Sequence, residues 1–283
     1  MQKGMCEPFA CRFTPALLIF VVRHHRADTM IAIFSDIHGN LEALTRVLAV
    51  IDERAAASAS ALEIICLGDV IGYGPNPLEC LDIVMDRCSV ALMGNHDFAV
   101  FYEPYSFNMP AEQASFWTRQ QFENEPDIQK RSRRWRYLAN MPFIHNRPGL
   151  KAAHASPRRP INEYIFPDDI YTNAPKFISM FEVVERVCFV GHTHVPGAFL
   201  EGPDFYSPVE LDGQLELARE KAIINVGSVG QPRDRDPRSS FVLMEGDTIE
   251  FVRVEYDLET TIAKIEKIDM LDDFLRARLR DGK

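Results

Sequence analysis

The sequence predicts an α/β fold, and three features of its 283 residues predict it. From Met30 onward, apolar runs of strand length alternate with amphipathic stretches of helical period. Short polar clusters follow several of the apolar runs, where an open α/β sheet ends its strands and gathers its functional groups. Hydrophobic residues make up 46% of the chain, enough to bury a full core in one large domain or two small ones.

The elements follow in order. Residues 31–34 read as the first strand. Residues 41–51 have helical spacing, with Leu41, Leu44, Val47, Leu48 and Ile51 on one side. The Ala/Ser stretch 55–61 reads as a linker or frayed helix end. Residues 64–67 form a second strand, a helix starts at Pro77 and runs through Met85, and 90–93 form a third strand. This βαβαβ rhythm argues for a largely parallel inner sheet. Residues 98–141 break the rhythm and are rich in aromatic and charged groups. They read as helices inserted beside the site, a candidate cap, with aromatic side chains packed between helices and the basic run 130–136 on a solvated face. Beyond Pro142 a short strand at 151–153 leads into His154, a helix covers 177–185, and 187–190 is a buried strand. Residues 209–217 and 241–254 read as hairpins around Asp212-Gly213 and Gly246-Asp247. Residues 258–279 read as one terminal amphipathic helix.

Bulk properties narrow the class. A formal net charge of -10 repels a nucleic-acid backbone, so non-specific nucleic-acid binding is excluded. A small anionic substrate remains compatible, because bound divalent cations reverse the local field. None of the six cysteines forms a CxxC pair, so no disulfide framework is expected and a reducing, cytoplasmic location is. The apolar run 16–22 is too short to span a bilayer, and Arg23-His24-His25-Arg26 follows it in place of a small-residue cleavage site. Residues 1–29 are therefore expected to be a disordered extension or a mis-called start, with no membrane association.

The polar clusters are Asp36-Ile37-His38, Gly68-Asp69, Gly94-Asn95-His96-Asp97, His154 and Gly191-His192-Thr193-His194. Five of the eight histidines fall in them, which is not how scattered surface histidines distribute. The two-residue spacing of Asp36 and His38, and of His192 and His194, points paired side chains the same way in an extended chain. A carboxylate such as Asp69 has two oxygens that can bridge two cations, and the Asn95 amide oxygen can ligate without adding charge. Mixed imidazole, carboxylate and amide ligation suits Mn, Fe, Zn, Ni or Co better than Ca. The pattern reads as a two-metal site, and such sites usually hydrolyse phosphate esters.

In this order the clusters resemble the motif series of the calcineurin-like metallophosphoesterase superfamily: D-x-H, G-D, G-N-H-[DE], a histidine, then G-H-x-H. Within it, the stretches Ser35-Asp36-Ile37-His38-Gly39-Asn40, Gly72-Tyr73-Gly74-Pro75 and Asn225-Val226-Gly227-Ser228-Val229-Gly230-Gln231-Pro232-Arg233 are similar to the small bacterial and archaeal phosphodiesterase-like group. The resemblance implies a four-layer sandwich of two mixed β-sheets flanked by helices over residues 30–257, with 98–141 as a helical insertion and 258–283 as a C-terminal helix. It implies that Asp36, His38 and His194 hold one divalent transition-metal ion, manganese first among the candidates. Asn95, His154 and His192 would hold a second, and Asp69 would bridge them.

It further implies a dinuclear phosphoesterase acting on a small phosphodiester or phosphomonoester. A hydroxide between the ions would be the nucleophile, His96 would assist the leaving group and Asp97 would orient His96. A nucleotide or dinucleotide polyphosphate hydrolase and a non-catalytic binding scaffold are the alternatives. The superfamily's protein phosphatases carry an Arg-Gly pair soon after G-D. Here Val70-Ile71-Gly72-Tyr73 follows Asp69, which argues against phosphoprotein substrates. Arg233, Arg238 and Tyr73 are the candidate substrate contacts. Ala155 follows His154 where the group commonly has glycine. Arg235 also stands at a glycine position, so that loop is expected to take a different turn.

Overall fold

The computed structural model describes Met1 and residues 29–58, 60–104, 106–202, 204–217 and 220–283. The extension expected over residues 1–29 lies outside the described residues, apart from Met1 and Thr29. In chain order the elements are β1 (Thr29–Phe34), α1 (Leu41–Ala57), β2 (Ala61–Cys66), α2 (Pro77–Arg87), β3 (Val90–Ala91), α3 (Asn95–Ala99), α4 (Met109–Glu123), α5 (Ile128–Ala139), β4 (Ile144–Arg147), β5 (Leu150–Ala153), α6 (Asp169–Thr172), α7 (Ala174–Phe181), β6 (Val187–Val190), β7 (Gly197–Leu200), β8 (Asp204–Tyr206), β9 (Gln214–Glu216), β10 (Ala222–Asn225), β11 (Ser239–Glu245), β12 (Thr248–Val254), α8 (Leu258–Ile265) and α9 (Asp273–Asp281).

Two mixed six-stranded sheets result, ordered β3-β2-β1-β11-β12-β9 and β4-β5-β6-β10-β7-β8. The parallel arrangement read from the βαβαβ rhythm holds for only part of each sheet. β1, β2 and β3 pair in parallel, as do β5, β6 and β10, and the flanking pairs are antiparallel.

Period-two alternation builds four layers from this topology. Ile31 and Ile33 of β1 point between the sheets, where they meet Phe189, Ala198 and Ile224 from the second sheet. Met30, Ala32 and Phe34 point the other way, against Leu44, Val47 and Ile51 of α1 and Leu81 and Val84 of α2. On the far side of the second sheet, Val190 and Ile223 pack under Phe177, Met180 and Phe181 of α7. Each fully buried Ile or Phe stabilises the layers by about 1.5–3 kcal/mol.

The structure departs from the sequence expectations at several points. Of the two readings of 55–61, residues 55–57 take the helix-end one, as the last residues of α1, and not the linker. The 209–217 hairpin does not form, because β8 pairs with β7 in one sheet and β9 with β12 in the other. Asp212-Gly213 instead turns the chain between the two sheets, both residues taking positive φ. The 241–254 hairpin does form, with Glu245 opposite Thr248 across Gly246-Asp247. The terminal segment is two helices, since the chain leaves helix after Ile265 and re-enters at Asp273. The break folds Leu275 and Leu279 of α9 back beside Ile262 and Ile265 of α8, against Tyr73 and Trp117. Within the basic run Arg134 turns inward, paired with Asp82 and Glu125.

Asn40 ties four segments at the head of α1. It caps the helix by accepting from Ala43 N–H (3.1 Å) and also accepts from the Thr261 hydroxyl of α8 (3.0 Å). Its amide donates to Gly230 O (3.0 Å) and Tyr256 Oη (3.2 Å), so a side chain 1% exposed is fully satisfied. Replacing Asn40 by Ala removes the cap and leaves buried partners unpaired. It is expected to lower unfolding free energy by about 2–4 kcal/mol, read from the urea midpoint.

Candidate metal centre

All the cluster residues converge at one end of the two sheets. Asp36 and His38 follow β1, Asp69 follows β2, and Asn95 lies just beyond β3 at the start of α3. His154 follows β5, and His192 and His194 follow β6. Every one of the seven is buried.

The paired spacing works differently from the extended-chain expectation. Asp36, His38, Asp69, His192 and His194 have φ of 57°, 51°, 51°, 65° and 61°. These are five of the nine non-glycine residues at positive φ among the described residues. Left-handed residues are strained by roughly 1–2 kcal/mol each. Concentrated in one place, they turn the side chains inward within four residues of each strand end. Neighbouring glycines make room: a Cβ on Gly94 would collide with the Asp69 carboxylate, and one on Gly191 with that of Asp36.

Two donor sets form and share one atom. His38 Nε2 lies 3.2 Å from His194 Nε2, 3.8 Å from Asp36 Oδ1 and 3.7 Å from Asp69 Oδ2, and His194 Nε2 is 3.2 Å from Asp36 Oδ1. On the other side, His154 Nε2 lies 3.3 Å from the same Asp69 Oδ2, 3.1 Å from Asn95 Oδ1 and 3.2 Å from His192 Nδ1. Donors about 2.0–2.2 Å from one central ion stand roughly 3.0–3.6 Å from one another; the quoted distances of the second set have that spacing, as do His38–His194 and His194–Asp36 in the first, while His38 stands slightly farther from Asp36 and Asp69. Protonation supports this fit. His38 Nδ1 donates to Ile71 O (3.3 Å) and His194 Nδ1 to Gln231 O (2.5 Å). In the neutral rings, both Nε2 lone pairs therefore face each other, and Asp36 Oδ1 beside them has no hydrogen-bond partner.

The electrostatics of the groups alone ask for positive charge. Burial would raise Asp69, but His154 and His96 beside it hold it well below the usual carboxylate value. Burial opposes charge on His154, yet Asp69 raises it to about 9. Burial and the neighbouring His154 push His192 down to about 3. Asp69 thus favours positive charge in the second set, where a cation would sit.

The remaining predicted site residues separate. The His96 backbone N–H donates to Asp69 Oδ1 (2.8 Å), which leaves Oδ2 for the two donor sets. Its ring lies against Tyr73 (4.3 Å), Phe107 (4.5 Å) and His38 (4.9 Å). Asp97 does not orient the His96 ring. Its Oδ1 accepts from Val70 and Ile71 N–H (3.0 and 3.2 Å) and its Oδ2 from Gly94 N–H (3.0 Å), so it braces the Asp69 loop against the Asn95 loop. Burial nonetheless raises Asp97 to about 7, against those three donors. Tyr73 packs between the His38 and His96 rings, and the Arg233 guanidinium lies over its face at 5.9 Å. Arg238 is not at the centre: its guanidinium is spent on Asp236 at the surface. Ala155 fits at ordinary φ, its N–H bonded to Pro160 O. Arg235 keeps the left-handed conformation a glycine would take, φ 69°, where its N–H meets Gly282 O.

Three neighbours were missed by sequence reasoning. Phe107 comes from the insertion, Tyr164 stacks on His192 at 4.1 Å, and Arg278 lies on α9, whose Leu275 and Leu279 pack on Tyr73. Tyr164 and Arg278 carry no local signal, since one lies in an unpatterned stretch and the other on an ordinary amphipathic helix.

This fold agrees with comparison to known proteins. Residues 29–196 match the family described as calcineurin-like phosphoesterase, and the chain belongs to that family. An uncharacterized protein of Methanocaldococcus jannaschii is 36% identical over 265 residues, covering 90% of this chain and 99% of that one. The crystal structure of a metallophosphoesterase from Sphaerobacter thermophilus is 34% identical, covers 90% of this chain and 100% of that chain, and superposes with a TM-score of 0.73. A hypothetical protein from Pyrococcus horikoshii, 18% identical over 90% of this chain and 99% of its own, shares the fold with a TM-score of 0.69. Proteins of this family use divalent metal ions, and the Asp/His groups described here have the chemistry to bind them.

The bracing assigned to Asp97 predicts a structural phenotype. Asp97→Asn turns one acceptor into a donor facing a backbone N–H, and is expected to lower stability by about 1–3 kcal/mol, read by calorimetry. Dependence of turnover on leaving-group pKa is expected to stay as in the parent protein.

Proposed function

We propose that the protein is a hydrolase of small phosphate esters that acts on a diester, or a small monoester, with two divalent transition-metal ions. One observation carries this reading: Asp69 Oδ2 belongs to both donor sets. Asp36, His38 and His194 would hold one ion, Asn95, His154 and His192 the other, with Asp69 common to both. Manganese is the first candidate, and the donor chemistry also suits Fe, Zn, Ni or Co. Bound there, such ions supply Lewis acidity and activate water near neutral pH.

The chain's own groups do the rest. The His96 N–H fixes one Asp69 oxygen, so the other is aimed between the sets. The His38 and His194 rings are locked by carbonyls behind them, which keeps their free nitrogens aimed inward. The His96 ring stands beside this constellation and is the group we assign to meet the phosphate or its leaving oxygen. Burial lowers its value to about 4, so the free protein presents a neutral imidazole. An anionic substrate beside it raises that value toward the range of a useful general acid.

Diester preference is supported by the loop after Asp69. It offers Tyr73, 8% exposed and enclosed by the His38 and His96 rings, where a phosphatase has an arginine for a dianionic phosphate. The partner we infer is a small phosphate ester, with no nucleic acid and no membrane. Among the described residues no helix is long and apolar enough to cross a membrane. Cys66, Cys80, Cys88 and Cys188 are free thiols, which supports a reducing compartment and our inference of a cytoplasmic location.

Metal-reconstituted protein is expected to bind two ions per chain and to cleave bis-p-nitrophenyl phosphate with a higher kcat/KM than a phosphoserine peptide. A single ion remote from Asp69, or clear preference for the peptide, overturns the reading. His96→Asn is expected to keep both ions and to lose about 10²-fold or more in kcat on poor leaving groups. Equal loss on good and poor leaving groups removes the general-acid role.

A further inference from the structure

The imidazoles of the site meet aromatic rings from other segments. Tyr73 packs on His38 and His96, and Phe107 lies 4.5 Å from the His96 ring. Tyr164 stacks on His192 at 4.1 Å, with 28° between the planes. Tyr73 is closed off at 8% exposed, whereas Tyr164 is 46% exposed. Phe166 lies parallel to Tyr164, within 3° at 5.5 Å, and is 46% exposed too. Both rings come from the irregular stretch between His154 and α6.

The backbone holds this pair in the open. Ile165, between them, is 1% exposed and belongs to the core cluster of Ile170, Phe177 and Phe181. Lys176 Nζ donates to Tyr164 O (2.6 Å) and pairs with Asp169 (2.7 Å). The same Asp169 oxygen accepts from the Phe166 N–H (2.9 Å). The three-residue stretch is therefore anchored at both ends and in the middle, while its two rings stay half in water. A singly exposed aromatic residue is ordinary. Two parallel ones, fixed in advance and stacked on a candidate metal donor, make a surface ready for a ligand. His192 Nδ1 lies 3.2 Å from His154 Nε2 in the second donor set, so a substituent of an ester held there can reach Tyr164.

We propose that Tyr164, extended by Phe166, binds a planar aromatic substituent of the ester and so sets substrate specificity. This rests on the phosphoesterase reading above and deepens it. The substituent is the arm that stays on phosphorus after cleavage. The leaving group is assigned to His96, whose ring neighbours are Tyr73, Phe107 and His38. A second aromatic ring gains offset or edge-to-face contact with the pair beyond the area it buries. An alkyl arm lacks that contact and covers less of the surface. Rings already pinned lose little freedom when a ligand covers them. The substrate class becomes diesters in which the retained arm carries an aryl group or a nucleobase. Tyr164 takes no part in the bond cleavage.

The test uses the full chain with Mn²⁺ and three diesters that share p-nitrophenolate as leaving group. Their retained arms are ethyl, phenyl and thymidine 5′-yl, and each kcat/KM is divided by that ester's own rate in hydroxide. At least one aromatic-armed ester is expected to exceed the ethyl ester about tenfold or more. The phenyl and thymidine arms tell a plain aryl group from a nucleobase. In Tyr164→Leu, which keeps an apolar side chain without the ring, the ratio is expected to collapse toward one. In Tyr164→Phe it is expected to persist. The ratio compares esters on one protein, so a change in metal loading alone leaves it unmoved. If both aromatic arms only match ethyl in the parent protein, or Tyr164→Leu keeps the preference, the proposal fails. If no ester is cleaved, the phosphoesterase reading fails instead. Calorimetric binding of diphenyl phosphate against diethyl phosphate, on the same variants, then decides the surface by the same ratio, and equal or undetectable binding overturns it.

Discussion

Two neutral imidazoles point their free nitrogens at each other across 3.2 Å, in a place where both rings are buried and a carboxylate oxygen has no partner. Nothing in a protein core favours that arrangement by itself. Lone pairs at this distance repel, and buried acceptors without donors cost roughly 1–3 kcal/mol each. The repulsion becomes attraction only when a positive centre lies between the donors. The surrounding architecture maintains this constraint: carbonyls behind the rings fix which nitrogen is free, and glycines in front clear the space.

The backbone bears a related strain. Five donors sit in left-handed conformations, at a cost that together takes up a sizeable share of a typical net stability of about 5–15 kcal/mol. Such strain persists only where neighbouring contacts over-determine it. Those contacts are present. Asp36 O accepts from Gly230 N–H and Ser228 Oγ, while Asp36 Oδ2 accepts from His192 N–H (2.9 Å), which ties the ends of β1, β6 and β10 together. Asp97 does the same for the loops after β2 and β3. Asn40 extends the clasp to α8. Ions bound in the proposed sites would add stability in proportion to their concentration over Kd, because the unfolded chain offers no comparable cage.

How far the sequence could be read follows from what each signal depends on. The polar clusters were legible because ligand chemistry is local: an imidazole or carboxylate at a strand end looks the same whatever the rest of the chain does. The backbone that aims them was not, since alternation implies an extended chain while Asp36 and His38 reach the same point through positive φ. β10 went unrecognised because Ala222-Ile223-Ile224-Asn225 is four residues between polar stretches, and only its two partners β6 and β7 define it. The split between α8 and α9 is invisible to periodicity, because Leu275 and Leu279 are apolar in either geometry and only packing on Tyr73 fixes their direction. Asp97 illustrates the opposite error. Its place beside His96 suggested a catalytic link, but position along a helix does not fix what a carboxylate accepts, and its partners are three backbone N–H groups in two loops.

The charge distribution completes the physical account. Exposed arginines such as Arg46, Arg87 and Arg133 are paired with acids, so they add little beyond their own neighbourhood. A net charge of -10 gives the molecule a repulsive far field for anions, but at physiological salt that field decays over about 8 Å. An approaching phosphate therefore responds mainly to what lies within one such length. At the donor constellation that is Arg233, over the Tyr73 ring, and the His/Asp sets, with the nearby acids Asp36 and Asp69 turned inward and 1% exposed or less. With cations on those inward carboxylates, the sign of the mouth is opposite to that of the surface around it. A small anionic ligand gains most from such a reversal over a few ångströms. A long polyanion, which must also lie along the acidic surface outside, gains least, and this links the overall composition to the substrate size proposed for the site.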